Sequence, residues 1–101
     1  KIAVLGDMLE LGQYTMQSHY DIGKKLGSYK IDLLVAVGEF SREIERGANE
    51  SGFPKSLINW CKDSSEAASL VRDIAQKDDL ILVKGSRGMQ MEKVVEALLN
   101  E

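Results

Sequence analysis

Leu80-Ile81-Leu82-Val83-Lys84-Gly85-Ser86-Arg87-Gly88-Met89 is the stretch that decides how the chain is read. Four apolar residues, Leu80 to Val83, read as a buried strand. The run breaks at Lys84-Gly85-Ser86-Arg87-Gly88, and a helical pattern starts at once, with Met91, Val94, Val95, Leu98 and Leu99 on one face. Two cations, a hydroxyl and two glycines thus stand where a strand ends and a helix begins. In an open α/β sheet that edge takes ligands. A helix N-terminus there also offers unpaired N–H groups and partial positive charge to an anion.

Upstream, strand and helix patterns alternate. Ile2 to Leu5 is a continuous apolar run, as in a strand covered on both faces. It ends in Gly6-Asp7, within a glycine-bracketed loop that closes at Gly12. A helix is expected from about Thr15 to Ser28, capped by Thr15, with His19, Ile22, Leu26 and Tyr29 on its apolar stripe. Leu33 to Val37 is the second buried strand, ended by Gly38-Glu39. Ser41 can cap a helix from Arg42 to about Glu50, whose inner face is Ile44, Gly47 and Ala48. After the Gly52-Phe53-Pro54 turn, Leu57 to Trp60 reads as a short edge strand. Asp63-x-x-Glu66 resembles a capping box and opens a helix with the stripe Ala67, Leu70, Val71 and Ile74. Strand–helix–strand units give a parallel sheet with right-handed crossovers. The expected fold is therefore a Rossmann-like α/β three-layer sandwich of about four strands, order 3-2-1-4, with helices on both faces. That order makes the first and fourth strands neighbours, so Gly6-Asp7-Met8 and Lys84-Gly85-Ser86-Arg87 should flank one crevice.

Composition narrows the function classes. The 101 residues suit one small domain. A net charge of −3 supplies no basic nucleic-acid face, and no apolar run approaches the ~20 residues of a membrane span. The single Cys61 allows no internal disulfide, fits a reducing compartment, and is expected to be inert. A chain that starts at Lys1 and enters a strand at once is expected to be a piece of a longer protein. Its four methionines read as gap fillers.

The chemical candidates gather at the expected ligand edge. Lys84 and Arg87 suit a carboxylate or phosphate, Arg in bidentate fashion, with Ser86 converging on the same point. Asp7 could bind an ammonium group, hold a metal-bound water, or cap a turn. His19 could face the edge or pack in the core. Glu39 and Arg42 follow the second strand; Arg42 could equally be an ordinary surface residue. No Gly-x-x-x-x-Gly-Lys-Ser/Thr, Gly-x-Gly-x-x-Gly, zinc-ligand spacing or Gly-x-Ser-x-Gly elbow is present. The residues by themselves describe an anion-binding edge without a self-contained catalytic set. A nucleotide- or metabolite-binding regulatory domain, or an interaction module, has the same outline.

Two segments carry a family resemblance. Ile2-Ala3-Val4-Leu5-Gly6-Asp7-Met8-Leu9-Glu10-Leu11-Gly12 followed by His19, and Leu82-Val83-Lys84-Gly85-Ser86-Arg87-Gly88-Met89 followed by Met91-Glu92, resemble the opening and closing motifs of the C-terminal domain of Mur ligases. Within that family the likeness is to the ligases that add D-Ala-D-Ala to UDP-MurNAc-tripeptide. Val37-Gly38-Glu39 falls at a similar strand end. The resemblance implies a three-domain bacterial cytoplasmic enzyme of peptidoglycan synthesis that uses ATP and Mg2+. In it, the tripeptide carboxylate is activated as an acyl phosphate and the dipeptide amine attacks. The C-terminal domain closes against its own N-terminal and central domains, the central one supplying the ATP loop and most metal ligands. The family's linking segment, with an Asp-Ala-Tyr-Asn-Ala-Asn-Pro-like motif, is not in this sequence, nor are the ATP loop and the modified lysine, so the chain alone is expected to be inactive. The resemblance further implies that Lys84, Ser86 and Arg87 receive the dipeptide carboxylate, with Arg42 also facing substrate. Asp7, Glu39 or His19 would orient its ammonium. Gly6 and Gly85 would let the backbone approach the nucleotide. No catalytic base and no metal ligand is assigned within the chain.

Overall fold

Each long apolar run becomes a strand. A computed structural model describes residues 1–9 and 11–99. It places β1 (Ile2–Gly6), β2 (Leu33–Val37), β3 (Ile58–Cys61) and β4 (Ile81–Lys84) in one parallel sheet of order β3-β2-β1-β4. This is the expected order. The register sets Val4 beside Val35 on one side and Val83 on the other, and Leu5 beside Lys84. The helices are α1 (Thr15–Leu26), α2 (Arg42–Glu50), α3 (Ser64–Ile74) and α4 (Glu92–Leu99).

The core lies on both faces of the two central strands. On one face Ala3, Leu5 and Leu34 pack with Leu26 of α1 and Ile44 and Ala48 of α2. On the other, Val4, Val35 and Val37 pack with Ala67 and Val71 of α3, with Met91 just before α4, and with Val94 of α4. The α1–α2 crossing is backbone to backbone. A Cβ on Gly23 would strike the Ile44 carbonyl, and one on Gly47 the Tyr20 carbonyl. Small residues at these two positions are a steric requirement.

Several expectations need correction. Leu80 to Val83 read as a strand covered on both faces, but only Ile81 and Val83 join a core cluster, and Leu82 is 51% exposed. The α1–α2 cluster reaches β1, β2 and, through Ile58, β3, and stops short of β4. Thr15 does not cap α1. A 3-10 turn over Gly12–Tyr14 runs directly into the helix, and the Thr15 hydroxyl donates to the Gly12 carbonyl (2.7 Å). α1 stops at Leu26, so Tyr29 leaves the apolar stripe and stands exposed. Asp63 does cap α3, accepting from Glu66 N at 2.9 Å, while the Glu66 carboxylate reaches back to Lys62 N rather than to Asp63. The helix after β4 is delayed. A 3-10 turn over Arg87–Met89 and a left-handed Gln90 (φ 54°) precede α4, and Val95 and Leu99 face outward.

Candidate functional site

The ends of β1 and β4 lie side by side, as the topology requires. Ser86 N donates to the Asp7 carbonyl (3.0 Å), and Leu9 N donates to the Ser86 hydroxyl (2.7 Å). The two loops are stitched together, and Ser86 keeps its own hydroxyl proton for another acceptor. Gly6 and Gly85 meet beneath Met91. A Cβ on Gly85 would lie 2.8 Å from Met91 Cγ and 3.2 Å from Gly6 Cα, so Gly85 is held to glycine by the backbone beside it, while a Cβ on Gly6 would meet only the Met91 side chain. Glu10 of the β1 loop lies outside the described residues.

Asp7 is buried, and its geometry is that of a cap. Oδ1 accepts from Ser41 N (2.7 Å) and the Ser41 hydroxyl (2.8 Å), and Oδ2 accepts from Phe40 N (3.2 Å). The anion site of a helix N-terminus is thus present, but at α2, and the chain's own carboxylate fills it. Ser41 sits at the N-cap position and makes no cap bond with its side chain; its hydroxyl supports Asp7 instead. Gly38, at φ 105°, closes the arrangement, since a Cβ there would run into the Asp7 carboxylate. Sequence reading missed this pairing because 34 residues separate Asp7 from Ser41.

His19 is fully buried, with both ring nitrogens engaged inside the domain. Nδ1 lies 2.6 Å from the Thr15 carbonyl, which can only accept, so Nδ1 carries the proton. Nε2 then accepts from Met8 N (3.0 Å), and Phe40 covers the ring at 5.8 Å between centroids. His19 therefore fixes the same loop that Asp7 and Ser86 fix from other sides.

Lys84, Arg87, Glu39 and Arg42 remain exposed along the edge. A recess of about 350 Å3 opens between the end of β4 and the start of α4, lined by Lys84, Ser86, Arg87 and Glu92 among others. Across the edge, the Arg42 guanidinium stacks on the Trp60 ring, 3.7 Å from its centroid, and Trp60 Nε1 donates to the Gly38 carbonyl (2.7 Å). Trp60 is the residue the sequence reading missed. Its place near the end of β3 gives the Arg42 guanidinium a ring to stack on. Among the described residues no hydrogen bond or ion pair joins Arg42 or Glu39 to Lys84 or Arg87, and the four exposed residues form two groups along the edge. Cys61 is buried, and burial pushes its thiol up to about 11, with Glu66 and Asp63 acting in the same direction. Among the described residues no three His, Cys, Asp or Glu side chains converge as a metal site, and no helix is long and apolar enough to cross a membrane.

This arrangement can hold an anion on Lys84, Ser86 and Arg87 against a preformed loop platform. Comparison with known proteins identifies the setting. The family model described as Mur ligase, glutamate ligase domain, matches residues 1–87. The chain belongs to the Mur ligase family. It is similar to the UDP-N-acetylmuramoyl-tripeptide–D-alanyl-D-alanine ligase of Buchnera aphidicola subsp. Acyrthosiphon pisum, with 40% identity over 101 residues, covering 100% of this chain and 21% of that protein. The ligase of the same name from Bacillus subtilis is 36% identical over 99 residues, covering 98% of this chain and 21% of that protein. A crystal structure of MurF from Acinetobacter baumannii superposes with a TM-score of 0.80 at 29% identity, over 99% of this chain and 22% of that one. The chain spans about a fifth of the length of the curated relatives it matches. The Mur ligase fold thus agrees with the α/β order derived above.

Proposed function

We propose that residues 1–101 are the closing domain of an ATP-dependent ligase that joins D-Ala-D-Ala to UDP-MurNAc-tripeptide in bacterial cytoplasmic peptidoglycan synthesis. The observation that carries this is the end-to-end match, at 36–40% identity, to relatives bearing that ligase name. The exposed Lys84–Ser86–Arg87 group supports it on chemical grounds. D-Ala-D-Ala is a zwitterion whose carboxylate needs cations and hydrogen-bond donors, and this edge offers both. Glu39, exposed after β2, is a carboxylate available for the ammonium. Asp7 and His19 act one step behind, by holding the loop platform.

The domain works by position. It fixes the dipeptide so that its amine lies in line with the activated tripeptide carboxylate, and its closure excludes water. ATP and Mg2+ serve this reaction, and in this reading they are held mainly by the central domain of the full-length enzyme. Gly85 is exposed at the end of β4, where its backbone can approach the nucleotide, while Gly6 lies buried behind it and serves the packing. The chain alone does not turn over.

The test is Arg87→Ala in the full-length enzyme. Loss of a charge-assisted contact, about 1.5–3 kcal/mol, raises KM for D-Ala-D-Ala about tenfold or more and leaves KM for UDP-MurNAc-tripeptide within about twofold. Unchanged dipeptide kinetics would overturn the assignment.

A further inference from the structure

The recess at the end of β4 holds opposite charges together. Lys84, Ser86 and Arg87 line it, and so does Glu92, the first residue of α4. Lys84, Arg87 and Glu92 are exposed, and among the described residues no ion pair joins Glu92 to either cation. A carboxylate that shares a small recess with two cations, and pairs with neither, keeps its charge for a ligand.

The backbone produces this arrangement. Arg87 and Glu92 are five residues apart, and in one continuous helix that spacing would turn them about 140° from each other. Instead the 3-10 turn over Arg87–Met89 gives way to Gln90, whose φ of 54° is left-handed, and α4 starts afresh at Glu92. Strain of this kind is kept where a site needs it. The break lets both side chains line one recess. Val83 and Val95 line it too, and Val95 is 41% exposed although it falls on the apolar pattern of α4.

We infer that Glu92 binds the ammonium of the incoming dipeptide while Lys84, Ser86 and Arg87 bind its carboxylate, with Val83 and Val95 against its methyl groups. This rests on the dipeptide reading above and sharpens it. An extended dipeptide spans about 7 Å, which suits a recess of about 350 Å3. Glu39 follows β2, two strands from β4, roughly 10 Å across the sheet. A dipeptide anchored at Lys84 and Arg87 therefore meets Glu92 first. The mixture of signs also gives selectivity, because Glu92 repels an anion that brings no ammonium.

The test compares two ligands of the full-length enzyme. One is D-Ala-D-Ala. The other is N-propionyl-D-Ala, the same molecule with hydrogen in place of the ammonium, used as a competitive inhibitor. Glu92→Gln should raise KM for D-Ala-D-Ala about tenfold, and should leave Ki for N-propionyl-D-Ala within about twofold or lower it. Arg87→Ala should weaken both ligands alike. An unchanged KM for UDP-MurNAc-tripeptide in both variants shows that the fold is intact. If Glu92 only stabilises the start of α4, its loss affects both ligands equally. Equal effects of Glu92→Gln on the two, or none on either, would thus overturn the inference, while the Arg87→Ala result still supports the carboxylate site. No effect of Arg87→Ala on either ligand would overturn the dipeptide reading itself, and this inference with it.

Discussion

The two sides of the ligand edge use similar residues in opposite ways. At the β1–α2 side, Asp7, His19 and Ser41 are buried and spend their hydrogen bonds on one another's loops. At the β4–α4 side, Lys84 stands exposed at the end of β4 and Arg87 at the start of a 3-10 turn that leads into the left-handed Gln90. The first side is a finished structure, and the second is open to a ligand. A polar residue at the C-terminal end of a strand is therefore not by itself a ligand contact. What separates the two is whether a neighbouring helix start has already claimed the group.

Substitutions can break or sharpen this contrast. Asp7→Ala leaves the α2 N-terminus and the buried Ser41 without their acceptor, and should destabilise the domain by about 3–4 kcal/mol in thermal or urea unfolding. His19→Phe keeps the ring packing against Phe40 but removes the acceptor of Met8 N–H. It should cost about 2 kcal/mol, with backbone amide shifts confined to the β1 loop. Gln90→Gly relieves the left-handed backbone and should stabilise by about 0.5–1 kcal/mol, a gain read as a raised melting temperature. Lys84→Ala and Arg87→Ala should shift stability by no more than about 0.5 kcal/mol while weakening dipeptide use. Equal losses of stability for Asp7→Ala and Arg87→Ala would erase the distinction between the two sides.

The topology was legible because apolar runs and turn residues are local signals. Ile2 to Leu5, Leu33 to Val37 and the run before Lys84 each mark a strand, and the crossover rule then orders them. The roles of the polar residues were not legible in the same way. Nothing near Asp7 in sequence says that the start of α2 will meet it, and nothing near Arg42 announces Trp60. His19 lay on the correct stripe, yet its tautomer depends on Thr15 and Met8 together. The apolar alternation of β4 misled in an instructive manner. Leu80 and Leu82 read as buried, and in the structure they stand 64% and 51% exposed.

The Ser86 stitch has a mechanical consequence. Through Ser86 the β4 loop is tied to Leu9 and Asp7, and through Asp7 the β1 loop is tied to α2, which is interlocked with α1 at Gly23 and Gly47. A load applied at the β4 loop therefore passes through Ser86 and Asp7 into the closely packed α1–α2 pair. The edge behaves as the rim of a rigid jaw. The loop from Gly6 to Leu9 should accordingly keep high backbone order parameters, measured by amide relaxation, while Ser86→Ala should lower them.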